Sequence, residues 1–155
     1  MNRTLLVVVA LACWAPCALA ELLPFGSGSL QELEREHAGA AFAVVIWSTD
    51  CVPCRNELAL VRRFAEAHPN VRIVLIAADD ISNADAVLAV LSASGLEQAE
   101  NWVFADRNRE RLQYSIDPKW FGEIPRAYLY SATLARTPIS GALSATRLEA
   151  WLAGE

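Results

Sequence analysis

The chain has 155 residues, 54% of them hydrophobic and 20% charged, with a formal net charge of −5. That length holds one compact domain and is short for two, and the balance of apolar and charged residues excludes a disordered chain. The acidic charge argues against a nucleic-acid partner, which requires clustered lysine and arginine, whereas here the basic residues alternate with other types, as in Arg107–Asn108–Arg109–Glu110–Arg111.

In chain order, residues 1–20 read as a cleavable signal peptide. Arg3 supplies a positive start, Leu5 to Ala12 an apolar run, and Ala18–Leu19–Ala20 the small-x-small pattern that places cleavage before Glu21. The apolar run is short for a bilayer span. An uncleaved membrane anchor is the alternative, and Cys13 is a poor lipoprotein match because Ala10, not leucine, stands three residues before it. The expected location is the periplasm or another exported compartment. Cleavage removes Cys13 and Cys17 and leaves Cys51 and Cys54.

Residues 21–39 read as an N-terminal extension and 40–155 as the main domain. Residues 21–28 are turn-rich and expected to be irregular. Ser29 with Glu32 has the spacing of a capping box, opening a short helix that fades at Gly39. Phe42 to Trp47 is a continuous apolar run, the pattern of a strand buried on both faces. A helix follows, with Leu58, Val61, Phe64 and Ala65 on one side, and Val71 to Ala77 reads as a second doubly buried strand. Parallel pairing of the two is the expectation for such a strand–helix–strand unit. Ser82 with Asp85 predicts the start of another helix, closed by Gly95; Trp102 to Phe104 predicts a strand and 107–115 a helix. Ala127 to Tyr130 and 136–140 predict a hairpin, and Thr146 with Glu149 the cap of a last helix. The fold class is therefore mixed α/β.

The segment with chemistry is Trp47-Ser48-Thr49-Asp50-Cys51-Val52-Pro53-Cys54-Arg55-Asn56-Glu57, where a buried strand hands over to a helix. A C-x-x-C pair closes too small a loop to staple the fold, so its purpose is read as chemical. Free N–H groups at a helix start stabilise a thiolate, which favours Cys51 as the nucleophile and Cys54, one turn inward, as the resolving thiol. A structural zinc site would need two more ligands, and His37 and His68 have no converging spacing, so no metal site is expected. Two thiolates also suit Cu(I), which keeps a copper-binding module open as the alternative. A thiol peroxidase, suggested by Ser48 three residues before Cys51, lacks the other residues of such a site.

These residues resemble the thioredoxin superfamily and, within it, the exported TlpA-like branch with its Trp-x-x-x-Cys-x-Pro-Cys-Arg-x-Glu pattern. Trp47, Cys51, Pro53, Cys54, Arg55 and Glu57 carry the match, and Gly122-Glu123-Ile124-Pro125 resembles the family's cis-proline loop. The resemblance covers about residues 40–155. It implies a thioredoxin fold, with helices on both faces of a mixed central sheet, and a monomeric thiol–disulfide oxidoreductase without cofactor. It also implies that Pro125 is cis, that the Ile124 backbone pairs with substrate, and that Val52 and Pro53 border the same surface. The implied partners are protein disulfides or dithiols, with electrons delivered by a membrane thiol transporter. Two positions depart from thioredoxins: Asp50 replaces the usual tryptophan before the first cysteine, and Val45 stands where cytosolic members bury an aspartate. The branch places a glutamate after the C-x-x-C instead, making Glu57 the candidate to manage the Cys54 proton; a solvated acid on the helix face is the competing reading. Trp47 is expected in the core. Trp120 and Phe121 read equally as a partner patch or as buried loop anchors.

Overall fold

Two apolar runs, Phe42–Trp47 and Ile73–Ala77, too short for core helices and rich in valine and isoleucine, have one way to bury both faces: as central strands of a covered sheet. The computed structural model, which describes residues 21–154, shows this arrangement. The expected signal peptide, with Cys13 and Cys17, lies outside the described residues. The elements in order are β1 (Leu22–Phe25), α1 (Ser29–Glu36), β2 (Phe42–Trp47), α2 (Val52–Ala67), β3 (Arg72–Asp80), a 3-10 turn (Ile81–Asn83), α3 (Ala84–Ala93), β4 (Glu100–Phe104), α4 (Arg109–Ile116), β5 (Arg126–Tyr130), β6 (Arg136–Ser140) and α5 (Ala145–Ala153). The sheet has six strands in the order β1-β4-β3-β2-β5-β6. Strands β1 to β4 pair in parallel, while β5 runs antiparallel to β2 and β6 antiparallel to β5.

Strand alternation divides the core in two. Ala43, Val45 and Trp47 of β2 and Ile73, Leu75 and Ala77 of β3 face α2, α3 and α5. Phe42, Val44, Ile46, Val74, Ile76 and Ala78 face α1 and α4 on the other side. The expected mixed sheet with helices on both faces is present.

Several local expectations are corrected. Residues 22–25, read as irregular, form β1 against β4. Phe25 is fully buried there, stacked on Phe104 at 5.8 Å and edge-on to Trp102 at 6.0 Å. Pro24 disguised the strand, and it is tolerated because β1 is an edge. The N-cap of α1 is Gly28, at φ 95°, with no side-chain cap bond; the Ser29 hydroxyl instead accepts the Gly26 N–H at 3.0 Å. The 3-10 turn is capped by Asp80, which accepts the Ser82 N–H at 2.9 Å, so Ser82 does not itself cap α3. Likewise Ser144, not Thr146, caps α5 by accepting the Arg147 N–H at 3.2 Å. Strand β3 runs three residues beyond its expected end, with a register shift between Ala77 and Asp80, and that extension brings Asp79 to the cysteine loop.

Candidate active site

The cysteine loop leaves the carboxyl end of β2 and turns at once into α2. Ser48 accepts the Cys51 N–H on its carbonyl at 3.2 Å and the Asp50 N–H on its hydroxyl at 3.3 Å, closing a tight turn. Cys51 is then the N-cap of α2, in extended conformation, and Pro53 falls in the first turn, where a missing N–H costs nothing. The Cys51 sulfur occupies the capping position and accepts the Cys54 N–H at 3.2 Å. Cys51 and Cys54 form a disulfide, with Cα atoms 5.2 Å apart. Cys51 is half-buried, whereas Cys54 is fully buried in the α2-side core with Trp47 and Leu58. Val52 and Pro53 are exposed between them.

Glu57 lies one turn beyond Cys54 on the same inner side of α2 and is only 3% exposed. Its Oε1 accepts the Leu143 N–H at 2.5 Å, while its Oε2 has no partner among the described residues. Burial pushes the Glu57 carboxyl pKa up, against a smaller downward pull from the Leu143 N–H. The solvated-face reading of Glu57 is thereby excluded. Asp50 is exposed, and Val45 is buried in the apolar layer where cytosolic thioredoxins carry aspartate.

The second landmark arrives from the other direction. Antiparallel β5 pairs Arg126 with Ile46, so Pro125 sits level with Trp47 at the same end of the sheet as the cysteine loop. The Ile124–Pro125 peptide bond is cis. Pro125 is buried, and its carbonyl accepts the Gly141 N–H at 2.9 Å beyond β6. Ile124 is half-buried and touches both core layers. Trp120 and Phe121 separate: Trp120 is buried and donates its Nε1 proton to the Glu123 carbonyl at 2.8 Å, while Phe121 is 94% exposed.

Two residues of this region were not singled out by sequence. Asp79, 7% exposed, accepts both the Thr49 N–H, at 3.1 Å, and the Thr49 hydroxyl, at 2.5 Å, tying the cysteine loop to β3. Arg126, 6% exposed, donates to Asp117 at 2.9 Å, to Glu123 at 3.1 Å and to the Ser140 hydroxyl, bracing the loop before the cis-proline. A register argument that carried β3 three residues further would have brought Asp79 opposite the loop; nothing in the sequence pairs Arg126 with Asp117. Asp79→Ala is expected to lower the unfolding free energy by about 1–3 kcal/mol, because it orphans a backbone donor in a part-buried turn. Urea unfolding of Asp79→Ala, Thr49→Val and the double variant checks this: the two losses should be strongly non-additive, and simple additivity would remove the pairing from the account.

No protein-family model matches the chain, and no curated protein sequence does. Solved structures do match. One is a secreted Mycobacterium tuberculosis disulfide oxidoreductase homologous to E. coli DsbE, with 22% identity and a TM-score of 0.64 over 78% of this chain and 86% of that one. Another is StoA from Bacillus subtilis, with 21% identity and a TM-score of 0.57 over 74% and 84% of the two chains. A thioredoxin-related protein from Neisseria meningitidis serogroup B has 21% identity and a TM-score of 0.63 over 75% and 84%. The expected thioredoxin fold is present.

Proposed function

We propose that this thioredoxin-fold chain is an exported thiol–disulfide oxidoreductase of the TlpA-like kind, reducing protein disulfides through Cys51 and Cys54. The observation that carries the reading is the asymmetry of the pair: one sulfur half-exposed at the N-cap of α2, the other fully buried one turn inward. In the reduced protein, the Cys51 thiolate accepts the Cys54 N–H and feels the positive end of the helix, which favours its ionised form. It attacks one sulfur of a substrate disulfide; a Cys51–substrate bond forms, the substrate bond breaks, and the departing thiolate takes a proton. Cys54 then loses its proton and attacks the Cys51 sulfur. The internal disulfide forms, the second substrate thiol leaves, and two electrons have passed from the Cys51–Cys54 dithiol to the substrate.

Glu57 is the proposed acceptor of the Cys54 proton, directly or through water; the support is that it is a buried carboxyl one turn along the same helix and that one of its oxygens has no hydrogen-bond partner among the described residues. The Ile124 backbone and cis Pro125, with Val52 and Pro53, are the residues to hold an extended substrate chain across the disulfide. A membrane thiol transporter is the proposed electron donor. The M. tuberculosis protein is itself described as secreted and as a disulfide oxidoreductase, which supports both export and activity here.

The reading is tested by turnover of a protein disulfide with a dithiol donor, together with the midpoint potential of the Cys51–Cys54 couple. Turnover with a potential well below about −120 mV, the value of a strongly oxidising member of this chemistry, is the expected result. A potential near that value reverses the direction. Stoichiometric Cu(I) binding without any turnover replaces the oxidoreductase by a copper-binding module.

A further inference from the structure

The loop between α4 and β5 is built around a closed circuit of hydrogen bonds. Asp117 accepts the Lys119 N–H on Oδ1 and the Trp120 N–H on its carbonyl, both at 2.9 Å. Glu123 accepts the Phe121 N–H on Oε2 at 3.2 Å, and its Oε1 accepts the Ser140 hydroxyl at 2.8 Å and Arg126 Nη1 at 3.1 Å. Arg126 closes the circuit onto Asp117. Gly122 adopts φ +91°, and a Cβ there would meet the Gln113 side chain at 3.1 Å, so the turn lies directly against α4.

This construction holds one aromatic ring almost wholly in water. Phe121 is flanked by a buried tryptophan and a glycine at positive φ, and among the described residues its ring belongs to neither core layer. An exposed ring on a loop this well fixed forgoes the burial such a side chain ordinarily supplies, while offering a partner an anchor whose ordering is already complete. Its position adds the second observation. Of the four large apolar side chains exposed among the described residues, three lie in segments at one end of the sheet. Val52 follows Cys51, Ile81 follows the carboxyl end of β3, and Phe121 precedes the start of β5. Rigid aromatic side chains with apolar neighbours are where binding energy concentrates in protein interfaces.

We infer that Phe121 anchors the substrate polypeptide, taking an aliphatic or aromatic side chain that lies a few residues from the cysteine presented to Cys51. Such flanking side chains are buried in a finished fold and available in an extended chain, so the substrate class is the incompletely folded protein whose cysteines lie in apolar sequence. The inference rests on the oxidoreductase reading and narrows it.

Two disulfide-closed peptides, identical except for leucine and phenylalanine or serine beside the cysteines, separate the possibilities. The wild type should favour the apolar peptide through KM. Phe121→Ser should raise KM for that peptide about tenfold, the factor that 1.4 kcal/mol represents, and bring the KM ratio of the two peptides close to one; Phe121→Leu should restore most of it. An unaltered ratio in Phe121→Ser, or a change carried by kcat on both peptides alike, overturns the anchor. Binding of the reduced apolar peptide to a Cys51→Ser/Cys54→Ser double variant decides the anchor without chemistry: adding Phe121→Ser should weaken it about tenfold, and unchanged affinity overturns the proposal. Absence of turnover by the wild type on either peptide removes the redox reading instead, so the two failures are distinguishable.

Discussion

Cys51→Ser should lose disulfide turnover by at least about three orders of magnitude, while Cys54→Ser should keep the first chemical step and stall after it. The difference follows from where α2 begins. Cys51 is the N-cap, half-exposed, with its sulfur facing an N–H of the first turn, so it is the sulfur that a protein disulfide can reach and that is best stabilised as a thiolate. Cys54 has no exposed surface and can act only on a sulfur already bonded to Cys51. A serine hydroxyl does not replace a thiolate nucleophile, hence the loss expected of Cys51→Ser. In Cys54→Ser the mixed disulfide has no internal thiol to resolve it and should accumulate as a covalent adduct that dithiothreitol releases. Non-reducing electrophoresis and intact-mass measurement after mixing with a disulfide-bonded protein check both. Adducts on Cys54 in the Cys51→Ser variant, or equal turnover by the two, would reverse or remove the assigned roles.

What was readable before the structure, and what was not, divides by the range of the interaction concerned. Strands β2 and β3 were legible because a doubly buried strand writes its environment into nearly every consecutive residue, and the Cys51–Cys54 pair because it stands in one short segment; the cis bond at Pro125 was legible only through the family resemblance of Gly122-Glu123-Ile124-Pro125. Strand β1 was hidden by Pro24 and two nearby glycines, whose usual meaning holds for a central strand and lapses at an edge. All three capping pairs misled in the same manner: Ser29 with Glu32, Ser82 with Asp85 and Thr146 with Glu149 have the right spacing, yet α1 starts at a glycine already in the left-handed region, α3 starts at Asn83 without a side-chain cap, and α5 takes a serine two residues earlier. Spacing alone does not rank competing caps one or two residues apart. The contacts that were illegible span long stretches of chain: Asp79 to Thr49 over 30 residues and Glu57 to Leu143 over 86. Trp120 and Phe121 are adjacent aromatic residues that sequence treats alike, and only the course of the loop buries one and exposes the other.

Glu57→Gln should slow resolution of the mixed disulfide by about 10²-fold, the lower end of what a positioned proton acceptor supplies, while leaving its formation by Cys51 largely intact. Rapid-quench measurement of the two steps separates them; equal slowing of both would mean that Glu57 supports the helix and takes no proton. Stability gives an independent reading of the same carboxyl. Because burial raises its pKa above the ordinary value of 4.5, the native state binds more protons at this site than the unfolded chain between the two pKa values. Stability contributed by the protonated form is thus complete below the unfolded pKa and is lost as pH rises through the folded one. The wild type should therefore fall in stability across that window relative to Glu57→Gln, which titrates nowhere, and the difference between the two should widen from acid toward neutral pH in urea unfolding. Glu57→Ala should behave differently again, losing about 1–3 kcal/mol even in acid because the Leu143 N–H is left buried without an acceptor. A wild type and a glutamine variant whose stabilities run parallel across pH would show that the carboxyl ionises as if exposed, and the proton-acceptor role would go with it.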